Sequence, residues 1–349
     1  MRKLLLIFAG LELASSIILL NLSLINQTPN KTIIDNSVNY HQLYVVGDSL
    51  SDNGAVVGAG SEILKTITGH GFTMDDPFYQ NHSFSNGKVA VEILADKLEL
   101  NLDAGWNFDF YSKTYNHIGN NYALGGAHAS ELPTTDLQGM FFNNFTINKQ
   151  VDALLQQHKI EDDDLTFFQI GSNDFMSEIL ETSSSTEQEA IIQNLLSDQQ
   201  SALKKLIING NKHILVMNTP DLGKIPRYRG STKAILASNL TAHYNQLWLN
   251  MIANLKVEYP HYIKVFDVYK QFNQLLIDFA QQGVNIEQGA TDYNLDLNAL
   301  LNGKITPKYN QGVNFETINN HFFFDFVHPT ELVHAKVGEM LYDIVQETW

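Results

Sequence analysis

The chain has 349 residues, with 38 acidic and 22 basic side chains, a formal net charge of −16 and no cysteine. The absence of cysteine excludes disulfides, thiol catalysis, Cys-type zinc sites and a lipoprotein-type anchor. The acidic balance, without any Lys/Arg cluster, argues against nucleic-acid binding and against a general attraction to anionic membranes.

Arg2 and Lys3 precede the apolar run Leu4-Leu5-Leu6-Ile7-Phe8-Ala9-Gly10, and apolar character continues through Ile17-Ile18-Leu19-Leu20. Residues 1–25 therefore resemble a secretory signal peptide, which places the mature protein in the periplasm or outside the cell. Glu12 interrupts the run and no A-x-A site follows, so an uncleaved membrane anchor and an amphipathic leader remain as alternatives. Residues 26–40, rich in Asn and Thr, read as a flexible lead-in. Proline is sparse, at 8 residues, and no Gly/Ser-rich or charged run divides the rest. One domain over 41–349 is expected.

Five apolar runs read as strands, over 42–46, 121–124, 165–170, 213–217 and 262–266. Helical patterns lie between them. Residues 88–98 put Val91, Leu94, Ala95 and Leu98 on one face. Residues 147–157 do the same with Ile147, Val151, Leu154 and Leu155. A long helix capped at Thr186 runs to near Gly210, another spans 231–258 and stops before Pro260, and 330–346 closes the chain. Residues 56–83 lack strong periodicity and read as a loop. Alternating strands and helices predict an α/β fold with a parallel sheet covered on both faces.

Ser49 follows the first strand in Val45-Val46-Gly47-Asp48-Ser49-Leu50-Ser51-Asp52-Asn53-Gly54. Ligands of parallel sheets bind at the carboxyl ends of strands, so a serine there is placed to act as a nucleophile. It needs a base to take its proton. A candidate lies far downstream in Phe324-Asp325-Phe326-Val327-His328-Pro329-Thr330, and a candidate oxyanion donor follows the third strand in Gly171-Ser172-Asn173-Asp174. Each has a bland alternative. Asp48-Ser49 and Asn173 could be helix caps, and Asp325 with His328 could be an exposed pair before the last helix. His321 and His334 are near enough to compete as the base, but His321 has no matching acid and His334 falls inside the final helix.

These residues resemble the GDSL esterases and lipases of the SGNH hydrolase superfamily. The resemblance rests on GDSLSDNG at 47–54, SNGKVAVEILA at 85–95, NYALGGAHA at 121–129, GSNDF at 171–175, NTPDLGKIPR at 218–227 and DFVHPT at 325–330, in the family's order. The set is most similar to the bacterial phospholipase A, lysophospholipase and glycerophospholipid–cholesterol acyltransferase branch. The resemblance implies a three-layer, flavodoxin-like fold with a central parallel sheet of about five strands. It implies Ser49 as nucleophile, His328 as base and Asp325 as the acid that orients it. It implies an oxyanion hole made by the Ser49 N–H, a glycine N–H in Leu124-Gly125-Gly126-Ala127 and the Asn173 side chain, with Gly126 preferred to Gly125. Asp174 is expected to brace the loop or cap a helix. No cofactor is required.

The implied activity is ester hydrolysis through an acyl-enzyme. The expected substrate is a lipid ester, phospholipid or lysophospholipid, met by transient contact with a membrane surface. Acyl transfer to an alcohol acceptor such as a sterol is a second outcome of the same intermediate. The rival activities are a short-chain or carbohydrate acetyl-esterase and a non-catalytic lipid-binding protein. Around Ser49 there is no G-x-S-x-G, so the α/β-hydrolase lipase design is not indicated. Where much of the branch has an aromatic after Ser-Asn-Gly, Lys88-Val89-Ala90 stands here, which bears on substrate fit. Phe141, Phe142 and Phe145 could wall an acyl pocket or simply pack their loop. Asp162-Asp163-Asp164 reads as a solvated turn rather than a metal site. Asp292-Tyr293-Asn294-Leu295-Asp296 lacks the Gly and distal Glu of an EF-hand.

Overall fold

The computed structural model describes residues 38–71, 73–74, 82–133, 137–292, 304–305 and 307–349. The signal-like segment and most of the lead-in fall outside them, as do residues 293–296 of the acidic loop.

The frame is a parallel sheet of β1 (Leu43–Val46), β2 (Leu165–Gln169), β3 (His213–Met217) and β4 (Ile263–Phe266), side by side in that order. The register pairs Leu43 with Leu165, Leu165 with His213, and Ile214 with Ile263. Every residue of β1 and β2 is buried, the polar Thr166 and Gln169 of β2 included, so neither strand has a solvent face.

The run at 121–124 is less regular than expected. It is an extended segment beside β1 with one parallel bridge, Val45 to Asn121. Val45 N–H donates to Asn120 O at 2.9 Å, Tyr122 N–H to Val45 O at 2.8 Å and Leu124 N–H to Gly47 O at 3.2 Å. Asn121 spends its side chain on Ser51 O and Asn53 Oδ1, which holds the segment to the turn after β1 instead of extending a ladder. Counting this segment, the order along the sheet is second, first, third, fourth, fifth, the flavodoxin-like order whose switch point lies between β1 and β2.

Helices form the outer layers of this α/β fold. In chain order they are α1 (Ala55–Thr68), α2 (Ala90–Lys97), α3 (Ile147–Gln157), α4 (Ser185–Ile208), α5 (Ala234–Glu258), α6 (Val268–Gln281) and α7 (Glu331–Gln346). Helix α7 packs on α2, and α4 packs on both α3 and α5. Buried Gln199 of α4 ties its layer together, donating to Tyr244 Oη at 2.7 Å and accepting from Trp248 Nε1 at 2.8 Å.

Two expectations need correction. Residues 55–68 are helix rather than loop. The cause is Asp52, whose carboxylate accepts the N–H groups of Gly54, Ala55 and Val56 at 2.7, 2.7 and 3.1 Å and so starts a glycine-containing helix. The cap of α4 is Ser184, whose hydroxyl accepts from Glu187 N–H, not Thr186. In the Asp162–Asp164 turn, Asp162 and Asp163 are exposed, but Asp164 is buried. It accepts from Glu161 N–H at 2.8 Å and faces His41 Nδ1 at 3.2 Å.

Near the carboxyl end a small parallel pair, β5 (Asn285–Gly289) and β6 (His321–Phe323), carries the 325–328 loop. A Cβ at Gly289 would lie 2.5 Å from Asp325 O, so this loop sits directly on β5.

Candidate active site

The turn after β1 is locked before it reaches Ser49. Buried Gln150 of α3 brackets Gly47, accepting its N–H at 2.8 Å and donating to its carbonyl at 2.9 Å. Asp48 accepts from Leu50 N–H and from Gln169 Nε2 of the neighbouring strand, both at 3.0 Å. Its carbonyl accepts from Ser51 and Asp52 N–H. Burial lifts the carboxyls of Asp48 and Asp52 to about 6. Both act as buried acceptors that shape the turn.

Ser49 Oγ lies 2.7 Å from His328 Nε2, and His328 Nδ1 lies 2.7 Å from Asp325 Oδ2. The other carboxylate oxygen, Oδ1, accepts the N–H groups of Val327 and His328, each at 2.7 Å. Asp325 is fully buried and His328 nearly so. One aspartate thus orients the ring and folds the loop that carries it.

The Ser-Asn-Gly segment clasps this loop from outside. Ser85 Oγ donates to Pro329 O at 3.0 Å, and Asn86 Oδ1 accepts from Glu331 N–H at 2.9 Å. The Phe84 ring lies 5.0 Å from the His328 ring at 32°. Among the described residues neither rival histidine hydrogen-bonds to Ser49 or Asp325. His334 is buried in α7, with Nδ1 accepting from Ala90 N–H at 3.2 Å, and burial pushes its imidazole down to about 3. The His321 carbonyl accepts from Thr330 Oγ1 at 2.8 Å.

The Gly125-Gly126 loop follows the extended segment whose Leu124 N–H donates to Gly47 O in the turn after β1. Gly125 N–H is held by Asp52 Oδ2 at 2.6 Å. Gly126 has φ 84°, a conformation glycine takes without strain, and its N–H has no partner among the described residues. Asn173 donates through Nδ2 to Ala127 O at 2.9 Å, which joins its turn to the glycine loop and leaves the second N–H of that amide unspent on this bond. Asp174 braces the same junction by accepting from Ala129 N–H at 3.1 and 3.0 Å and from Ser130 N–H at 3.2 Å, and burial lifts its carboxyl to about 8. Directly after it runs one π-helical turn, Phe175–Ile179, a feature that often marks functional sites.

The structure therefore joins Ser49 to the Asp325–His328 loop, 279 residues further on, and sets Asn173 in the same crevice lining as Ser49, while Gly126 lies in the loop held by Asp52 and Asn173. Asp52, Gln150 and Phe84 also belong to the site but carried no role in the sequence reading. The signal available was that Asp52 follows Ser49 by three residues and precedes Gly54, a cap position for the helix that follows. A crevice whose lining includes Ser49 and Asn173 is walled mainly by apolar side chains. The three phenylalanines are not among those walls. Phe142 covers Gly126, where a Cβ would lie 2.6 Å from its ring, and Phe141 and Phe145 pack on each other and on Phe108.

Residues 43–341 match the family model described as GDSL-like Lipase/Acylhydrolase. The chain belongs to this family. Among curated relatives of this GDSL acylhydrolase is a phosphatidylcholine-sterol acyltransferase of Aeromonas hydrophila, 25% identical over 330 residues, covering 86% of this chain and 88% of the relative. A GDSL esterase/lipase of Arabidopsis thaliana is 24% identical over 338 residues, covering 85% of each chain. A solved acetyl xylan esterase aligns with a TM-score of 0.37 at 12% identity, over 86% of this chain and 98% of that one.

Proposed function

We propose that this GDSL acylhydrolase cleaves lipid acyl esters through an acyl-enzyme on Ser49. The observation that carries the reading is the pair of 2.7 Å links, Ser49 Oγ to His328 Nε2 and His328 Nδ1 to Asp325 Oδ2, with Ser49 also lining an apolar crevice. Ser49 Oγ attacks the ester carbonyl while His328 Nε2 takes its proton. The resulting imidazolium faces the Asp325 carboxylate, which stabilises it. The oxyanion is held by the N–H groups of Ser49 and Gly126 and by the Asn173 amide. Collapse expels the alcohol, which receives the proton from His328. Water, activated by the same histidine, then releases the acid. An alcohol in place of water yields a new ester, the outcome named for the Aeromonas relative.

The preferred substrate in this reading is a phospholipid or lysophospholipid. Among the described residues no helix is long and apolar enough to cross a membrane. The reading takes approach to lipid to be through transient surface contact. Export follows from Arg2-Lys3 and the apolar run behind them. N-terminal sequencing of protein from periplasm and medium tests it, and an intact Met1 on active cytosolic protein would overturn it.

The test of the chemistry is Ser49→Ala, assayed on a soluble ester and on mixed phospholipids with a sterol acceptor. Folded variant protein should lose both hydrolysis and transfer. Near-normal turnover would refute the covalent mechanism. A wild type that cleaves only acetyl esters would move the reading to the acetyl-esterase alternative.

A further inference from the structure

We infer that His128 and Ser177 are positioning residues that hold the Asn173 amide and the Gly126 loop in register with each other. This rests on the oxyanion reading of Gly126 and Asn173 and adds the pair that fixes them.

Two segments distant in sequence carry those donors, and hydrogen bonds join them in three places. Asn173 Nδ2 donates to Ala127 O at 2.9 Å. The Asp174 carboxylate accepts from Ala129 and Ser130 N–H. The third tie is side chain to side chain, with His128 Nε2 at 2.8 Å from Ser177 Oγ. Ser177 Oγ in turn donates to Asn173 O at 2.8 Å. A hydroxyl has one proton to give. With that proton on Asn173 O, Ser177 accepts from His128, and the imidazole carries its proton on Nε2. The bonds then close a circuit. It runs from the Asn173 amide to the Ala127 carbonyl, along the chain to His128, across to Ser177 and back to the Asn173 carbonyl. Both the side chain and the backbone of Asn173 are held within it.

The surroundings keep the pair in this state. His128 is buried, and its ring lies 6.3 Å from that of Phe142, the ring that covers Gly126. Burial pushes the imidazole down to about 4, and the Gly126 backbone beside it opposes this only in part, so the ring stays neutral near pH 7. Ser177 belongs to the π-helical turn Phe175–Ile179, directly after Asn173 and Asp174. Asn173 lines the crevice with Ser49, whereas His128 and Ser177 stand behind it. The pair is therefore placed to act through Asn173 and the glycine loop rather than on the ester. A donor aimed at a developing oxyanion depends on its exact placement, so loosening the circuit should cost rate rather than binding.

The experiment measures kcat and KM on a soluble p-nitrophenyl ester, with melting curves to certify folding. Ser177→Val removes the hydroxyl, and Ser177→Thr keeps it in the same shape. His128→Phe removes both ring nitrogens and keeps the packing on Phe142. Ser177→Val should lower kcat about 10- to 100-fold, less than loss of the Asn173 amide, because the donor is misplaced rather than removed. KM should move less than about threefold. Ser177→Thr should stay within about threefold of wild-type kcat, the rescue that a hydroxyl role requires. His128→Phe should match Ser177→Val, and the two together should cost no more than either alone. In an Asn173→Ala background, Ser177→Val should lower kcat about twofold at most. A full Ser177→Val loss in that background, or a loss confined to KM or to melting temperature, would overturn the positioning role. Asn173→Ala run alone separates the two claims. If it is impaired while Ser177→Val and His128→Phe keep wild-type kcat, the oxyanion reading stands and the positioning pair falls. If Asn173→Ala itself keeps wild-type kcat, the oxyanion reading falls and takes this inference with it.

Discussion

Replacing Asp325 by Asn keeps the size of the side chain but cannot keep its hydrogen bonds. The carboxylate accepts three donors: Val327 N–H and His328 N–H on Oδ1 and His328 Nδ1–H on Oδ2, all at 2.7 Å. An amide offers one oxygen and one NH₂. With the oxygen toward the two backbone donors, the NH₂ faces Nδ1, which must then be an acceptor. The ring proton moves to Nε2, the atom 2.7 Å from Ser49 Oγ, and the base can no longer take a proton. With the amide reversed, the NH₂ meets two backbone N–H groups and the loop loses both bonds. The first arrangement keeps more bonds and should prevail. The expected loss is about 10⁴ in kcat, the size seen when a triad aspartate becomes an amide and traps the wrong tautomer. That is roughly 5 kcal/mol of transition-state stabilisation. The assay is steady-state hydrolysis of a soluble ester, with a melting curve to show that the variant folds. The loss should match that of His328→Ala within about tenfold. A folded Asp325→Asn enzyme retaining more than about a tenth of wild-type kcat would refute the tautomer argument.

Asn173→Ala should lower kcat about 10²- to 10³-fold with a smaller change in KM, since an oxyanion donor acts mainly on the transition state. A change confined to KM would reassign Asn173 to substrate binding. His334 should make the fold acid-sensitive. Its folded value of about 3 lies below the usual 6.5, so the unfolded chain takes up the proton first and stability falls as pH drops from about 6.5 toward 3. At about pH 5 the loss should be about 2 kcal/mol relative to neutrality, read by denaturant titration. His334→Gln, which keeps an acceptor for Ala90 N–H, should flatten that slope, and an unchanged slope would move the effect to another group such as His128.

Much of this site is legible residue by residue. Ser49 follows an apolar run that forms a fully buried strand, and the short spacing of Asp325 and His328 lets one loop carry acid and base. Residues 213–217 and 147–157 have the element bounds their patterns predict, because local periodicity and burial agree there. The helix at 55–68 is hidden in the sequence because Gly58 and Gly60 blur the helical pattern, and what starts it is the Asp52 carboxylate accepting its first N–H groups. Residues 121–124 look like a strand by composition, but side-chain bonds from Asn121 hold them against the turn after β1.

The choice between Gly125 and Gly126 shows where local information ends. In the sequence the two are neighbours of identical chemistry. In the fold, Asp52, 73 positions earlier, takes the Gly125 N–H, while Gly126 turns at φ 84° with its N–H unpartnered among the described residues. The sequence by itself determined the layered α/β class, the order of the motifs and the kinds of groups available, because those follow from periodicity and side-chain chemistry within a few residues. Only the tertiary structure decided which histidine faces Ser49, which glycine N–H has no carboxylate to hold it and where the apolar crevice runs. Those depend on distances between segments brought together by burial, and such distances are not encoded in any short stretch of chain.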